Sequence, residues 1–150
     1  RTASPGKERP PMTYAAPISQ ADLSKPAVDS NALVAAIQAC FDCAQACTAD
    51  ADADLAEPQV QTMIRCIRLC RDCADVCLAT GAMLSRQTAF DPASARAALQ
   101  ACAQICKVCG DECEHHAQRG FAHCQTCMVA NRRCEQACNA LLTLVAALPA

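Results

Sequence analysis

The sequence contains few large aromatic side chains: it has no tryptophan, one tyrosine and three phenylalanines among 150 residues. This excludes a core of ordinary composition, so smaller side chains such as alanine, leucine, valine and cysteine must fill the interior. Glycine is also scarce, with four residues, and five of the eight prolines precede Val28. Because the rest of the chain has few helix breakers, we expect long helices in one domain.

Charge and hydropathy exclude two classes of partner. The net charge is -2 and charged residues make up 19% of the chain, so there is no basic surface for nucleic acid. No apolar run reaches the roughly 18 residues of a membrane-spanning helix, and the most apolar stretch, 140–148, is too short. Residues 1–30 lack the hydrophobic region of a secretory signal. We therefore expect a cytoplasmic protein with reduced thiols, although a signal removed before Arg1 is compatible with the sequence.

Cysteine is the residue type that the chain has in excess, with fifteen copies. The cysteines recur at intervals of three, four or seven residues, which places side chains along one face of a helix. This helical spacing and the odd count argue against a disulfide scaffold, and so many cysteines exceed what ordinary burial explains. The pattern predicts four thiol stripes: Cys40, Cys43 and Cys47; Cys66, Cys70, Cys73 and Cys77; Cys102, Cys106, Cys109 and Cys113; Cys124, Cys127, Cys134 and Cys138.

The cysteine stripes, together with the helix start and stop signals between them, predict a bundle. Residues 1–28 are expected to be extended or disordered, with a short turn near 21–23, and residues 29–150 to form the bundle domain. Asp29 or Ser30 and the pair Asp91-Pro92 are good helix starts. Short connections make neighbouring helices antiparallel. We therefore predict an all-α fold, an up-down-up-down four-helix bundle with a Cys-lined core and helices over about 30–50, 58–84, 92–118 and 121–148.

This quantity of sulfur on facing helices indicates soft metal ions. Residues three or four apart on a helix have Cβ atoms about 5–6 Å apart, so that two thiolates can share one ion. Cu(I) prefers thiolate and tolerates two or three ligands. A zinc protein with tetrahedral sites, an iron–sulfur protein, a redox protein and a purely structural bundle are the alternatives. Nothing in the sequence combines a nucleophile, a base and an orienting group, so we do not expect an enzyme.

The alternation of helix directions predicts two different bundle ends. His116, His123 and Met63 are three or four residues from cysteines, so they extend the stripes at one end, where they would be weak ligands at an ion entrance. His115 is expected to point outward. The acidic segment 48–57 is expected to be a solvated connection, which alternatively attracts cations or docks a basic copper chaperone. The opposite end is expected to be an apolar plug of Leu33, Ile37, Leu84, Leu99, Leu141 and Leu142.

The runs Cys66-x3-Cys70-x2-Cys73-x3-Cys77 and Cys102-x3-Cys106-x2-Cys109-x3-Cys113 resemble the bacterial copper storage proteins. That family is a Cys-lined four-helix bundle, usually tetrameric, that holds many Cu(I) ions. The resemblance covers about residues 30–148, and the His residues at the entrance are similar to those of its cytosolic branch. It implies that all fifteen cysteines bind Cu(I), that His116, His123 and Met63 act at the entrance, and that the chain forms a homotetramer. Ala36 and Asn131 stand where the stripes would have thiols, so these positions are expected to be gaps.

Overall fold

The computed structural model describes residues 14–16, 18 and 27–149, and it folds the bundle region into four long α-helices. These helices are α1 Ser30–Ala56, α2 Val60–Leu84, α3 Pro92–Ala117 and α4 Ala122–Ala146. The described residues include no strand. The prediction of an all-α protein is therefore confirmed, and α2, α3 and α4 begin and end within two residues of the predicted limits.

The four helices pack around a square, each against two neighbours. The backbones of neighbouring helices lie close together, α1 with α2, α2 with α3, α3 with α4 and α4 with α1. The diagonal pairs meet only through side chains in the channel, such as Cys40 with Cys102 and Cys70 with Cys127. The connections 57–59, 85–91 and 118–121 are short, so consecutive helices run antiparallel. This is the predicted up-down-up-down four-helix bundle, and all four helices face one central channel.

Side-chain caps explain where two of the helices start. The carboxylate of Asp29 accepts a hydrogen bond from the N–H of Ala32 at 2.9 Å, and the Asp91 carboxylate accepts from the N–H of Ser94 at 2.8 Å. Both bonds satisfy amides that lack a partner within the helix. Gly120 adopts φ +99° in the turn between α3 and α4, a conformation that side chains disfavour.

The predicted end of α1 is wrong. We expected the helix to stop near Asp50 and residues 48–57 to form a solvated acidic connection, but α1 continues to Ala56. Its last two turns are rich in alanine, the best helix former, and the carboxylates do not interrupt the helix. Asp50 and Asp54 are buried at 2% and 0% exposure, while Asp52 alone of the three points to solvent.

The two ends of the channel differ as predicted. At one end Leu33, Leu84, Leu99 and Leu141 are at most 1% exposed and close the bundle with apolar side chains. Of the other two predicted members of the plug, Ile37 is buried but Leu142 is only half-buried, and Val145, which we did not predict, is fully buried there. At the other end lie the polar side chains of the candidate entrance. The channel between them is filled by thiols, so a metal ion has a polar approach from one side only.

The segment before the bundle is described only in part. Tyr14–Ala16 and Ile18 form a helical turn, in which the N–H of Ile18 donates to the carbonyl oxygen of Tyr14 at 3.0 Å. The turn expected near residues 21–23 lies outside the described residues. By length and composition alone α1 could cross a membrane, but this is weak evidence, because α1 packs against two other helices and lines the channel.

Candidate metal-binding core

All fifteen cysteines lie in the channel with no exposed surface, and all are free thiols. The Sγ–Sγ distances of thiols in hydrogen-bond contact range from 3.5 Å, between Cys77 and Cys106, to 4.0 Å, between Cys134 and Cys138. A disulfide bond would need about 2.05 Å. The predicted inward stripes are therefore confirmed as a continuous set of reduced thiols, close enough for one ion to contact more than one sulfur.

The thiols form groups of four along the channel. In each group the sulfur atoms lie within 4.8 Å of one another. Two of the groups take one thiol from each helix, so that four sulfurs face each other across the bundle axis. From the apolar plug toward the polar end the groups are Cys40, Cys102, Cys134 and Cys138; Cys43, Cys77, Cys106 and Cys134; Cys47, Cys70, Cys109 and Cys127.

A carboxylate completes the group nearest the polar end. Oδ2 of Asp50 is 3.9, 3.4 and 3.6 Å from the sulfurs of Cys66, Cys70 and Cys113, each of which donates to it. Sequence reasoning missed this residue because it assigned the segment to a solvated connection. The sequence does contain a signal for it. Inward positions along α1 follow each other at alternating intervals of four and three residues, and this alternation includes Asp50 and Asp54: 36, 40, 43, 47, 50 and 54.

His123 connects this carboxylate to the outside. Its Nδ1 is 2.8 Å from Oδ1 of Asp50 and 3.6 Å from Oδ1 of Asp54, and its Nε2 is 3.0 Å from Oε1 of Glu57. Burial lowers the pKa of His123, but hydrogen bonds to Asp50 and Glu57 outweigh that effect and raise it above its usual range. The imidazole is 24% exposed, and the structure therefore places it between solvent and the first thiols.

Asp54 and Cys124 form the outermost pair of the channel. The Cys124 thiol donates to Oδ1 of Asp54 at 3.6 Å, whereas Oδ2 of Asp54 is buried without a hydrogen bond to a described residue. Burial raises the pKa of the Asp54 carboxyl. The neighbouring Cys66 thiol, burial and the two nearby carboxylates raise the pKa of Cys124. Sequence reasoning did not identify Asp54 as part of the site.

The two other predicted entrance residues are buried at the same end. Met63 has no exposed surface and His116 is 2% exposed. Neither ring nitrogen of His116 makes a hydrogen bond to a described residue, although Nε2 lies 3.4 Å from Oε1 of Glu112. The ring packs edge-on against Phe121 with centroids 5.9 Å apart. His115 is exposed, as expected. The ring nitrogens of His116 are therefore buried without a hydrogen bond to the described residues, and Nε2 faces the Glu112 carboxylate.

Contacts between thiols, together with burial, raise the pKa of most cysteines in the metal-free channel. Contacts with neighbouring thiols lower the pKa of five others: Cys47, Cys73, Cys102, Cys113 and Cys134. Contact with the Cys113 thiol, together with burial, raises the pKa of Cys66 to about 11. Contacts with Cys109, Cys113 and Cys127, again with burial, raise the pKa of Cys70. A thiol that stays protonated behaves as a small apolar side chain, so it adds no charge to the empty core. Metal binding must displace these protons.

Comparison with known proteins agrees with the thiol-lined channel. A family model described as copper storage protein, Csp, matches residues 29–143. The chain belongs to the copper storage protein family. The match spans all four helices up to the last turn of α4, and so includes every cysteine of the channel.

Solved structures similar to the chain carry the same description. Copper storage protein Ccsp from Streptomyces lividans, loaded with 10 copper equivalents, is 48% identical, with a TM-score of 0.84 over 87% of this chain and 98% of that one. A structure of a cytosolic copper storage protein from the same organism with five coppers is 52% identical, with a TM-score of 0.73 over 79% and 96% of the respective chains. No curated protein matches the chain significantly.

Proposed function

We propose that this protein stores copper in the cytoplasm as Cu(I) ions bound by its cysteine thiolates, and that it binds metal rather than catalysing a reaction. The observation that supports this proposal best is the unbroken set of buried, free thiols along the channel. The similarity to proteins loaded with copper, one of them cytosolic, gives independent support. Storage also protects the cell, because thiolate-bound Cu(I) is withheld from other ligands.

The sharing of sulfur atoms favours Cu(I) over zinc and iron–sulfur ligation. Cys77 lies 3.5 to 3.9 Å from the sulfurs of four other thiols, namely Cys73, Cys102, Cys106 and Cys134. Such a sulfur can bridge several Cu(I) ions that each take two or three ligands. One positive charge per thiolate also leaves little net charge in the buried channel. Zinc sites instead hold each ion in a separate tetrahedron of four ligands.

An anaerobic Cu(I) titration of the reduced protein tests storage directly. We expect gel filtration and metal analysis of the protein peak to show many ions per chain, on the order of one per thiol because of two- and three-coordinate sharing. The loaded protein should be colourless, whereas an iron–sulfur protein would be brown. Uptake of no more than one or two ions per chain would contradict storage.

We propose that copper enters at the polar end through His116, His123 and Met63. Imidazole nitrogen and thioether sulfur are weaker ligands for Cu(I) than thiolate, so they can capture an ion and pass it inward. The ring nitrogens of His116 are buried and make no hydrogen bond to a described residue, and the ring of His123 is partly exposed; both observations support this role. The exposed carboxylate of Asp52 suits docking of a basic copper chaperone at this end.

Loss of the entrance ligands should slow loading without changing capacity. In a His116→Ala/His123→Ala double variant, stopped-flow mixing with a Cu(I) donor should show slower uptake, while the final number of bound ions remains that of the wild type. His115→Ala is the matched control, because His115 is next in sequence but exposed. Equal loading rates for the double variant and the control would exclude the entrance role.

We also propose that the chain assembles as a homotetramer, as its family usually does. Exposed apolar side chains on the outer faces of α1 and α2 support an association between copies. Leu55, Ile64 and Leu78 are 61%, 57% and 49% exposed. Burying these apolar side chains against another copy of the chain would remove them from water and so stabilise the assembly.

A further inference from the structure

The buried ring of His116 faces a carboxylate on its own helix. Glu112 lies one helical turn before His116 on α3, and its Oε1 is 3.4 Å from Nε2 of the imidazole. The ring is almost completely buried, whereas the Glu112 side chain is 17% exposed, so the carboxylate lies on the solvent side of the ring. Among the described residues, Glu112 is the one acidic group within ion-pair distance of His116.

Arg65 holds this carboxylate from the neighbouring helix. Its Nε donates to Oε2 of Glu112 at 2.7 Å, and this bond joins α2 to α3. Each carboxylate oxygen thus has a partner of its own, the guanidinium for Oε2 and the imidazole for Oε1. Because charge-assisted hydrogen bonds of this kind are short and directional, rotation of the carboxylate away from His116 would also break the ion pair with Arg65.

The Arg65–Glu112 pair is poorly placed to stabilise the fold. The Arg65 side chain is 68% exposed, and pairs with such exposed partners contribute little to stability because water and salt screen them. The Arg68–Asp72 pair on α2 is of the same exposed kind. The buried imidazole beside Glu112 distinguishes the first pair from the second, and it indicates that Glu112 acts on His116.

The carboxylate determines which nitrogen of His116 can bind a metal ion. A neutral imidazole carries a proton on one ring nitrogen and a lone pair on the other, and only the lone pair binds metal. A carboxylate oxygen accepts and does not donate, so the nitrogen that faces Glu112, Nε2, carries the proton. The lone pair is then on Nδ1, which is buried and has no hydrogen bond to a described residue.

Packing of the ring favours the same orientation. A half-turn of the imidazole about its Cβ–Cγ bond would exchange Nε2 for a carbon atom beside Glu112 and so lose the contact. Phe121 packs edge-on against His116 with centroids 5.9 Å apart, and it also lies 5.9 Å from the ring of His123. The carboxylate and the aromatic ring therefore hold His116 from two directions.

We propose that Glu112 is a positioning residue for copper entry: held by Arg65, it orients the imidazole of His116 so that Nδ1 receives the incoming Cu(I) ion. This inference rests on the proposed entrance role of His116. A histidine that binds metal commonly donates its second ring N–H to a carboxylate, which fixes the tautomer and makes the ring a stronger ligand. The negative charge of Glu112 also offsets the charge of an ion at a buried nitrogen.

The kinetics of copper loading test this role in a double-mutant cycle. Stopped-flow mixing with a Cu(I) donor should show uptake by Glu112→Ala slowed about tenfold, a usual effect of removing such a carboxylate. In a His116→Ala background the same substitution should have no further effect, because the ring that it positions is gone. Glu112→Gln should load at an intermediate rate, since its amide oxygen still accepts from Nε2–H but carries no charge.

Glu114→Ala is the matched control. Glu114 lies two residues away on α3 and pairs with Arg132, so this variant removes one negative charge from the same end of α3 and should load at the wild-type rate. Equal rates for Glu112→Ala and Glu114→Ala, or equal slowing by Glu112→Ala with and without His116, would overturn the positioning role. If His116→Ala loaded as fast as the wild type, the entrance role would fail and this inference with it. Low uptake at saturation would instead contradict storage.

The tautomer of His116 is a readout that a merely structural role would not move. Heteronuclear NMR of the reduced, metal-free protein with isotope-labelled histidine reports which ring nitrogen carries the proton, and His→Ala variants assign the signals. The wild type should show His116 with its proton on Nε2, and Glu112→Ala should show a mixture of both tautomers. Circular dichroism checks that each variant keeps the helical bundle. A proton on Nδ1 in the wild type, or an unchanged tautomer in Glu112→Ala, would overturn the proposal.

Discussion

Acidification is expected to release the stored copper. Each ion that binds a neutral thiol displaces a proton, so the apparent affinity should fall about tenfold per pH unit for every proton displaced. The sign follows from the raised pKa of thiols such as Cys66, which stands at about 11. Below that pKa the metal-free thiol holds its proton, and the competition becomes stronger as the pH falls.

Competition with a chromophoric Cu(I) chelator of known protonation behaviour measures this dependence. The fraction of copper kept by the protein should decrease steadily between about pH 8 and about pH 5, after correction for the chelator. Proton release during loading, followed with a pH indicator in weak buffer, provides an independent reading. An affinity that is constant over this range would show that the channel already holds thiolates before copper arrives.

The periodicity of the cysteines was sufficient to predict the fold and the interior of the channel. An interval of three or four residues fixes the face of a helix regardless of what packs against it, so the four stripes and their inward direction needed no tertiary information. The short connections then fixed the order of the helices. Those two facts also placed the apolar plug opposite His116, His123 and Met63.

The buried carboxylates could not be recognised with the same rules. Aspartate in a polar, alanine-rich segment is typical of a solvated surface, and burial of a charge is costly without a partner. The partners of Asp50 are His123 on α4 and thiols on α2 and α3, more than a dozen residues away in the chain. Only the tertiary structure shows these pairs, although the alternation along α1 could have included Asp50 and Asp54.

Asn131 illustrates a different limit. Its place on the stripe of α4 was evident from the sequence, and the missing thiol was interpreted as a gap. Its function as a hydrogen-bond partner depends on the distances to Cys47 and Cys73, which belong to other helices. These distances depend in turn on the close approach of α4 to Gly110, a packing detail that periodicity does not contain.

Truncation of the apolar plug is expected to destabilise the bundle without affecting copper capacity. Leu99 on α3 has no exposed surface, and it is surrounded at the closed end by other buried aliphatic side chains. Leu99→Ala removes a buried side chain and leaves a cavity, so the free energy of unfolding should fall by about 2–5 kcal/mol. No thiol is altered, and the number of Cu(I) ions bound at saturation should therefore equal that of the wild type.

Denaturant unfolding of the reduced, metal-free protein measures this loss of stability. Leu144→Ala is the matched control, since Leu144 lies toward the same end of the bundle but is 39% exposed, and its truncation should cost much less. Copper addition should raise the unfolding midpoint of Leu99→Ala, because an ion that binds only the folded channel stabilises it. If Leu99→Ala instead lost copper capacity while remaining folded, the closed end would have to take part in metal binding, and the division into an apolar plug and a thiol channel would be wrong.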